Sequence, residues 1–213
     1  MNNPPLCQEQ RRLVPGSIGD LEVFIECPKQ QLAERTLAII CHPHPLQGGS
    51  LDNKVVYMLA SALRQQGAIS LRFNFRGVGR SSGSFAQGVG ETEDLLRLAE
   101  WSEAYFAPQQ LWLAGFSFGS YVALRAHRRL SPKRLILVAP PVQKWDFSSL
   151  TLSAVPTLVL QGDADTVVVP KEVREWLSTQ AHMPDFIEFT GADHFFHGRL
   201  TELREKVSQW VAG

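Results

Sequence analysis

No surplus of charge of either sign marks this chain: 21 Lys+Arg stand against 21 Asp+Glu in 213 residues, and the formal net charge is zero. Without a basic excess there is no electrostatic footprint for a nucleic-acid backbone or an anionic membrane. The one local exception is the run Arg125, His127, Arg128 and Arg129. It falls at the end of an expected helix, where cations suit the macrodipole, and reads as a solvated helix end. Cysteine is scarce, with only Cys7, Cys27 and Cys41. An odd number in a chain this long is not a disulfide framework, and no CxxC or Cys/His spacing suggests zinc. The three are read as small, reduced core residues of a cytoplasmic protein. No apolar run approaches the ~20 residues that span a bilayer, so membrane insertion is not expected. Residues 1–5 have neither the basic nor the apolar part of a signal peptide.

Repeats, low-complexity tracts and linkers are missing as well. What remains is ordinary globular composition, 44% hydrophobic and 20% charged, which excludes disorder, collagen and coiled coil as the dominant character. The length fits one domain, 1–213, whose folding buries roughly 70% of the unfolded chain's surface.

Residues 1–16 read as a polar, Pro-bearing, irregular lead, and 17–26 as a strand at an antiparallel edge. A rhythm then sets in. Short apolar runs at 36–41, 68–75, 110–114, 134–139, 157–161 and 185–189 read as strands. Between and after them, 53–66, 91–107, 118–130, 171–179 and 199–211 carry apolar residues at helical spacing. Alternation of this kind means right-handed crossovers and an α/β fold, a mostly parallel central sheet with helices on both faces. In such sheets the reactive groups lie in loops beyond the carboxyl ends of the strands.

One of those strand ends runs into Gly115-Phe116-Ser117-Phe118-Gly119, with a helix following. This is G-x-S-x-G in the strand–turn–helix setting that the motif requires. The serine needs a backbone with φ > 0, and its flanking glycines let strand and helix pass close together. Ser117 Oγ is then held at a helix N-terminus, where free N–H groups favour a developing oxyanion. A capping serine in a Gly-flanked turn would give the same letters, so a base and an acid are needed for a mechanism.

A serine hydroxyl is a poor nucleophile until an imidazole takes its proton, and the imidazole needs an acid to fix its tautomer. Both are expected later in the chain, in the order Ser, Asp, His. Gly162-Asp163-Ala164-Asp165 ends one strand and Gly191-Ala192-Asp193-His194 follows the last. Asp163 comes directly after Gly162, where a short carboxylate commonly bonds its own turn. Asp165 lies farther out and is favoured as the acid, with Asp163 the alternative. His194 is favoured as the base over His197, which supports the next helix start. Asp193 reads as a turn or helix-start residue, and His127 and His182 as surface or packing residues.

The second oxyanion donor is expected from the loop after the early strand, Cys41-His42-Pro43-His44-Pro45-Leu46-Gln47-Gly48-Gly49. The prolines have no N–H. His44 or Leu46 remains, and the His44 N–H is favoured, together with that of Phe118. His42 reads as a packed histidine that bonds neighbouring loop backbone. The His-x-His spacing lacks a third ligand, so neither a metal nor a cofactor is implied.

With these pieces placed, the sequence resembles the α/β-hydrolase superfamily over nearly its whole length. It looks most like the small dienelactone-hydrolase-like and serine-hydrolase proteins of bacteria that lack a lid. Four segments carry the resemblance: His42-Pro43-His44-Pro45 with Gly48-Gly49; residues 73–83, Phe-Asn-Phe-Arg-Gly-Val-Gly-Arg-Ser-Ser-Gly; the Ser117 motif; and the paired Asp165 and His194 segments. The resemblance implies Ser117 as nucleophile, Asp165 as acid and His194 as base, and places Arg76-Gly77 in a turn bordering the site. Two departures matter. Dienelactone hydrolases proper use a cysteine nucleophile, so their substrate is not carried over. The stretch 140–156 is too short for the helical cap of many relatives, and an uncapped site is open and shallow. Trp145, in that stretch, is a candidate for its wall, while the other tryptophans read as structural.

The leading expectation is a serine hydrolase that cleaves a small-molecule ester through an acyl-enzyme. Thioester, amide or acyl-transfer chemistry on the same triad, and a non-catalytic binding protein of this fold, are the alternatives.

Overall fold

The central parallel strands of this chain are apolar at odd and even positions alike, because their two faces meet different helices. In the computed structural model, which describes residues 7–213, eight strands form one sheet. They are β1 (Gln10–Pro15), β2 (Asp20–Glu26), β3 (Thr36–Cys41), β4 (Ile69–Phe73), β5 (Gln110–Phe116), β6 (Arg134–Val138), β7 (Thr157–Gly162) and β8 (Asp185–Phe189). The spatial order is β1-β2-β4-β3-β5-β6-β7-β8. β1 and β2, and β2 and β4, pair antiparallel; all other pairs are parallel. Five helices cover the faces: α1 (Lys54–Gln65), α2 (Val89–Phe106), α3 (Phe118–Leu130), α4 (Pro170–Ser178) and α5 (Leu200–Ala212).

The period of two sorts the core. Leu37, Ile39, Cys41, Leu113, Leu135 and Leu137 face the layer of α2, α3 and α4. Ala38, Ile40, Ala114, Phe116, Ile136 and Val138 face the layer of α1 and α5. Both sides of the sheet are therefore withdrawn from water, which accounts for the unbroken apolar runs. The 140–156 connection contains no helix, and among the described residues no cap domain covers the carboxyl edge of the sheet. Among the described residues no helix is long and apolar enough to cross a membrane.

Three expectations are corrected. Residues 10–15 are not part of an irregular lead but the edge strand β1, joined to β2 by a turn in which the Gly16 N–H donates to the Gly19 carbonyl (2.6 Å). The strand was hidden because only Val14 in it is fully buried, so it lacks the apolar signal of the inner strands. The second correction follows from the first. Cys7 and Cys27 are not free thiols but form a disulfide. The antiparallel register that sets Gln10 against Ile25 carries position 7 back beside position 27. This removes the ground for reading those two thiols as reduced, and Cys41 alone stays free, buried in the core. Third, His127 does not belong to a solvated helix end. It is buried on the core face of α3, with Nδ1–H donating to the Leu124 carbonyl (2.5 Å), while Arg128 and Arg129 do face solvent.

Closing the loop between residues 7 and 27 restricts the unfolded chain, which for a loop of this length contributes about 3 kcal/mol. Cys7→Ser is expected to lower the urea unfolding free energy by about that amount. The double Cys7→Ser, Cys27→Ser variant should cost no more than either single change. A midpoint unmoved by reduction would mean that the hairpin holds without the bond.

Candidate active site

β5 ends in Gly115-Phe116, and Ser117 turns the chain sharply into α3. The turn is as tight as the glycines allow: a Cβ on Gly115 would stand 2.2 Å from the Gly119 carbonyl oxygen, and one on Gly119 2.3 Å from that of Cys41. Ser117 itself has φ 52° and ψ −122°, left-handed backbone that costs a non-glycine residue of order 1–3 kcal/mol. It is held there by its N–H, which donates to the Val138 carbonyl (2.8 Å), and by its carbonyl, which accepts from the Ser120 N–H and hydroxyl.

The loops after β7 and β8 bring two further groups to Ser117. His194 Nε2 lies 3.1 Å from Ser117 Oγ, and His194 Nδ1 lies 2.7 Å from Asp165 Oδ2. All three residues are at least nine-tenths buried. Asp165 is fully committed: Oδ1 accepts the Val167 and Val168 N–H groups at 2.8 Å each. With Nδ1–H donated to this fixed carboxylate, the imidazole presents a bare Nε2 to the serine hydroxyl.

Asp163, the alternative acid, is exposed, and the bond from His194 Nδ1 goes to Asp165 instead. Asp163 bonds not its own turn but the neighbouring loop, accepting the Gly191 N–H (2.6 Å) and tying the β7 and β8 loops together. Asp193 accepts the Phe195 and His197 N–H groups and pairs with His197 Nδ1 (2.6 Å), which braces the turn after His194. His197 pulls the Asp193 carboxyl below its ordinary range.

The His44 loop lies across the start of α3. Among the described residues neither the His44 nor the Phe118 N–H donates to a protein acceptor. The Leu46 N–H is used, since it donates to His44 Nδ1 (3.2 Å). Burial pushes the His44 pKa down, with Lys144 nearby adding to the fall and Glu91 opposing it. The neutral ring this favours is the form that can accept from Leu46.

Both nitrogens of His42 are committed. Nδ1–H donates to the Pro43 carbonyl (2.6 Å) and Nε2 accepts the Phe75 N–H (2.9 Å). Because the peptide unit is planar and trans, gripping the Pro43 oxygen fixes the direction of the His44 N–H on its other side.

A family model described as the alpha/beta hydrolase fold matches residues 39–152, from β3 past Ser117. XC6422 of Xanthomonas campestris, described as an a/b serine hydrolase without lid, is 43% identical, with a TM-score of 0.93 over 99% of this chain and 97% of that one. The chain belongs to the alpha/beta hydrolase family. An alpha-beta serine hydrolase homologue from Coxiella burnetii is 45% identical over 96% of this chain and 98% of its own, with a TM-score of 0.92. The uncharacterized protein RP471 of Rickettsia prowazekii (strain Madrid E) is 36% identical over 185 residues, 82% of this chain and 78% of that one.

Two groups of this hydrolase's site carry no motif and were missed in the sequence. Gln161, within β7, is fully buried and sets Nε2 3.2 Å from Asp165 Oδ2, where it donates to the same oxygen that receives His194. Phe85 packs on the His44 ring at 4.8 Å. A single aromatic residue directly after the Ser/Gly-rich stretch 81–84 was the available signal. Arg76, by contrast, is structural: it is buried on Asp94 (2.7 Å) and donates to Ser17, tying α2 to the β1–β2 turn. Trp145 stands at the site wall against Phe118 and His44 (4.9 and 5.8 Å), and beyond it a groove of about 680 Å³ runs between the 140–156 connection and α4.

Burial lowers the His42 imidazole to about 3, from ~6.5 in the unfolded chain. The unfolded chain therefore binds a proton below pH ~6.5 that the folded chain does not. His42's contribution to stability is complete above that pH and is lost as the pH falls toward 3, at about 1.4 kcal/mol per unit. His42→Asn takes this proton out of the balance. Between pH 7.5 and 5 the variant should lose about 2 kcal/mol less unfolding free energy than the wild type. Equal acid losses, measured by urea titration, would assign the proton to another group.

Proposed function

We propose that this hydrolase cleaves carboxylic esters of small molecules through an acyl-serine intermediate. The observation that carries the reading is the single imidazole bridging Ser117 Oγ and the saturated carboxylate of Asp165. His194 Nε2 takes the Ser117 proton as Oγ attacks the ester carbonyl, and Asp165 stabilises the imidazolium that forms. The tetrahedral oxygen is held by the N–H groups of His44 and Phe118, at the positive end of α3. His194 then gives its proton to the departing alkoxide. In the second half it takes a proton from water, which attacks the acyl carbonyl, and it returns that proton to Ser117 Oγ as the acid leaves.

The serine-hydrolase description of XC6422 supports a serine nucleophile here as well. The groove beyond Trp145 leaves room for a substrate that extends past the scissile bond. The test is turnover of p-nitrophenyl esters from acetate to laurate by wild type and Ser117→Ala side by side. Loss of turnover in the variant supports the reading; turnover that survives it sinks the reading. The chain-length profile sizes the acyl subsite.

A further inference from the structure

Four aromatic rings meet beside Ser117, each delivered by a different segment. His44 comes from the loop after β3, Phe85 from the loop after β4, Phe118 from the first turn of α3, and Trp145 from the connection after β6. All six pairings among them have centroid separations between 4.8 and 6.2 Å. Phe118 is buried at the base, while His44, Phe85 and Trp145 are half-buried around it. Two of the four, His44 and Phe118, own the N–H groups assigned above to the oxyanion.

We propose that Trp145, together with Phe85, is a positioning residue that holds the two oxyanion donors at their working separation. The inference rests on the esterase reading just given. An oxyanion hole demands two things of the His44 N–H, a direction and a distance from the Phe118 N–H. The direction is set from below, where His42 grips the Pro43 carbonyl. Among the described residues no hydrogen bond joins the His44 loop to Phe118. The distance is set by contact, because the rings of the two donor residues abut at 5.3 Å and are wedged by Phe85 and Trp145.

Trp145 is itself anchored on the helix that bears the nucleophile. Its indole stacks on Tyr121 of α3, at 5.3 Å and 27° between planes. The brace therefore runs from α3 through Trp145 to His44, and what it fixes is the His44 loop relative to Phe118. On its outer side Leu46, Gln47 and Gly48 are exposed, and among the described residues no cap lies over them. A donor displaced by a fraction of an ångström is felt where charge has developed, in the transition state, and hardly at all in the bound ester.

Trp145→Ala is expected to lower kcat on p-nitrophenyl butyrate by ~10–100-fold, less than outright removal of a donor, with KM within about threefold of wild type. Trp145→Phe, which restores a ring, should recover most of the loss. The deciding comparison uses two inhibitors. Phenylboronic acid forms a tetrahedral adduct on a serine Oγ and places an oxygen between the donors; benzamide is a planar ground-state mimic. In Trp145→Ala the boronate should weaken by the same factor as kcat, while benzamide binding stays unchanged. Phe85→Ala, on a different loop, should repeat the pattern, and it carries the test should thermal melting show Trp145→Ala to be unfolded. If both inhibitors weaken together with KM while kcat holds, Trp145 binds substrate and the proposal is overturned. Unchanged constants in both folded variants also overturn it. Wild-type turnover in Ser117→Ala would instead bring down the esterase reading beneath it.

Discussion

Ser117→Ala should reduce kcat on a p-nitrophenyl ester by up to ~10⁶-fold, the scale on which serine triads lose rate when the nucleophile is removed. The change is small in every structural respect. Among the described residues Ser117 Oγ has no hydrogen bond other than the 3.1 Å approach to His194 Nε2. Its backbone bonds to Val138 and Ser120 do not involve the hydroxyl. Thermal stability should therefore stay near that of the wild type, and an alanine at φ 52° meets the same backbone strain as the serine did. A fall in rate with an unchanged melting midpoint separates lost chemistry from lost structure. The effect should appear in kcat and kcat/KM alike, since the missing bond is made only after the ester is bound.

Asp165→Asn is the second large loss expected, about 10⁴-fold in kcat, as serine triads suffer when the acid becomes an amide. The carboxamide can still accept the Val167 and Val168 N–H bonds on one oxygen. The atom that faces His194 Nδ1, and Gln161 Nε2 behind it, would then be a nitrogen donor opposite donors. The imidazole must turn over to its other tautomer, which presents N–H rather than a lone pair to Ser117. Asp163→Asn should stay within about tenfold of wild type, because only an exposed bond to the Gly191 N–H is weakened. Measured pH–rate profiles of the two variants complete the test. A severe loss in Asp163→Asn with a mild one in Asp165→Asn would move the acid's role to the other carboxylate.

Much of this arrangement is legible in the amino-acid sequence, and the reasons are local. Strand β5, the glycine-flanked Ser117 and helix α3 follow from one steric demand, a left-handed serine between a strand and a helix packed at backbone distance. β3, β6 and β7 announced themselves because each is buried on both faces. β1 could not do so, since an edge strand that buries only Val14 fully is written in the same letters as a loop. The Cys7–Cys27 bond went unseen for the same cause: without the hairpin, the two positions have no reason to meet. His127 is a different case. Ser120, Ala123 and His127 follow helical spacing and all are buried, but the arginines beside it drew the reading toward solvent. Gln161 lay beyond reach altogether, as a buried polar residue in a strand has no pattern until its partner is seen.

The want of any roof over Ser117 bears on what becomes of the acyl group once it is attached. An acyl-enzyme partitions between water and any other acceptor according to which reaches it, and enzymes that transfer acyl groups to alcohols or amines keep water away while they do so. Here the 140–156 connection sets a single indole at the side of the site, and among the described residues no helix lies above it. On the acyl-serine mechanism proposed above, solvent meets the intermediate from an uncapped edge of the sheet, which favours release of the free acid. On that proposal the architecture, as much as the triad, directs the reaction toward hydrolysis.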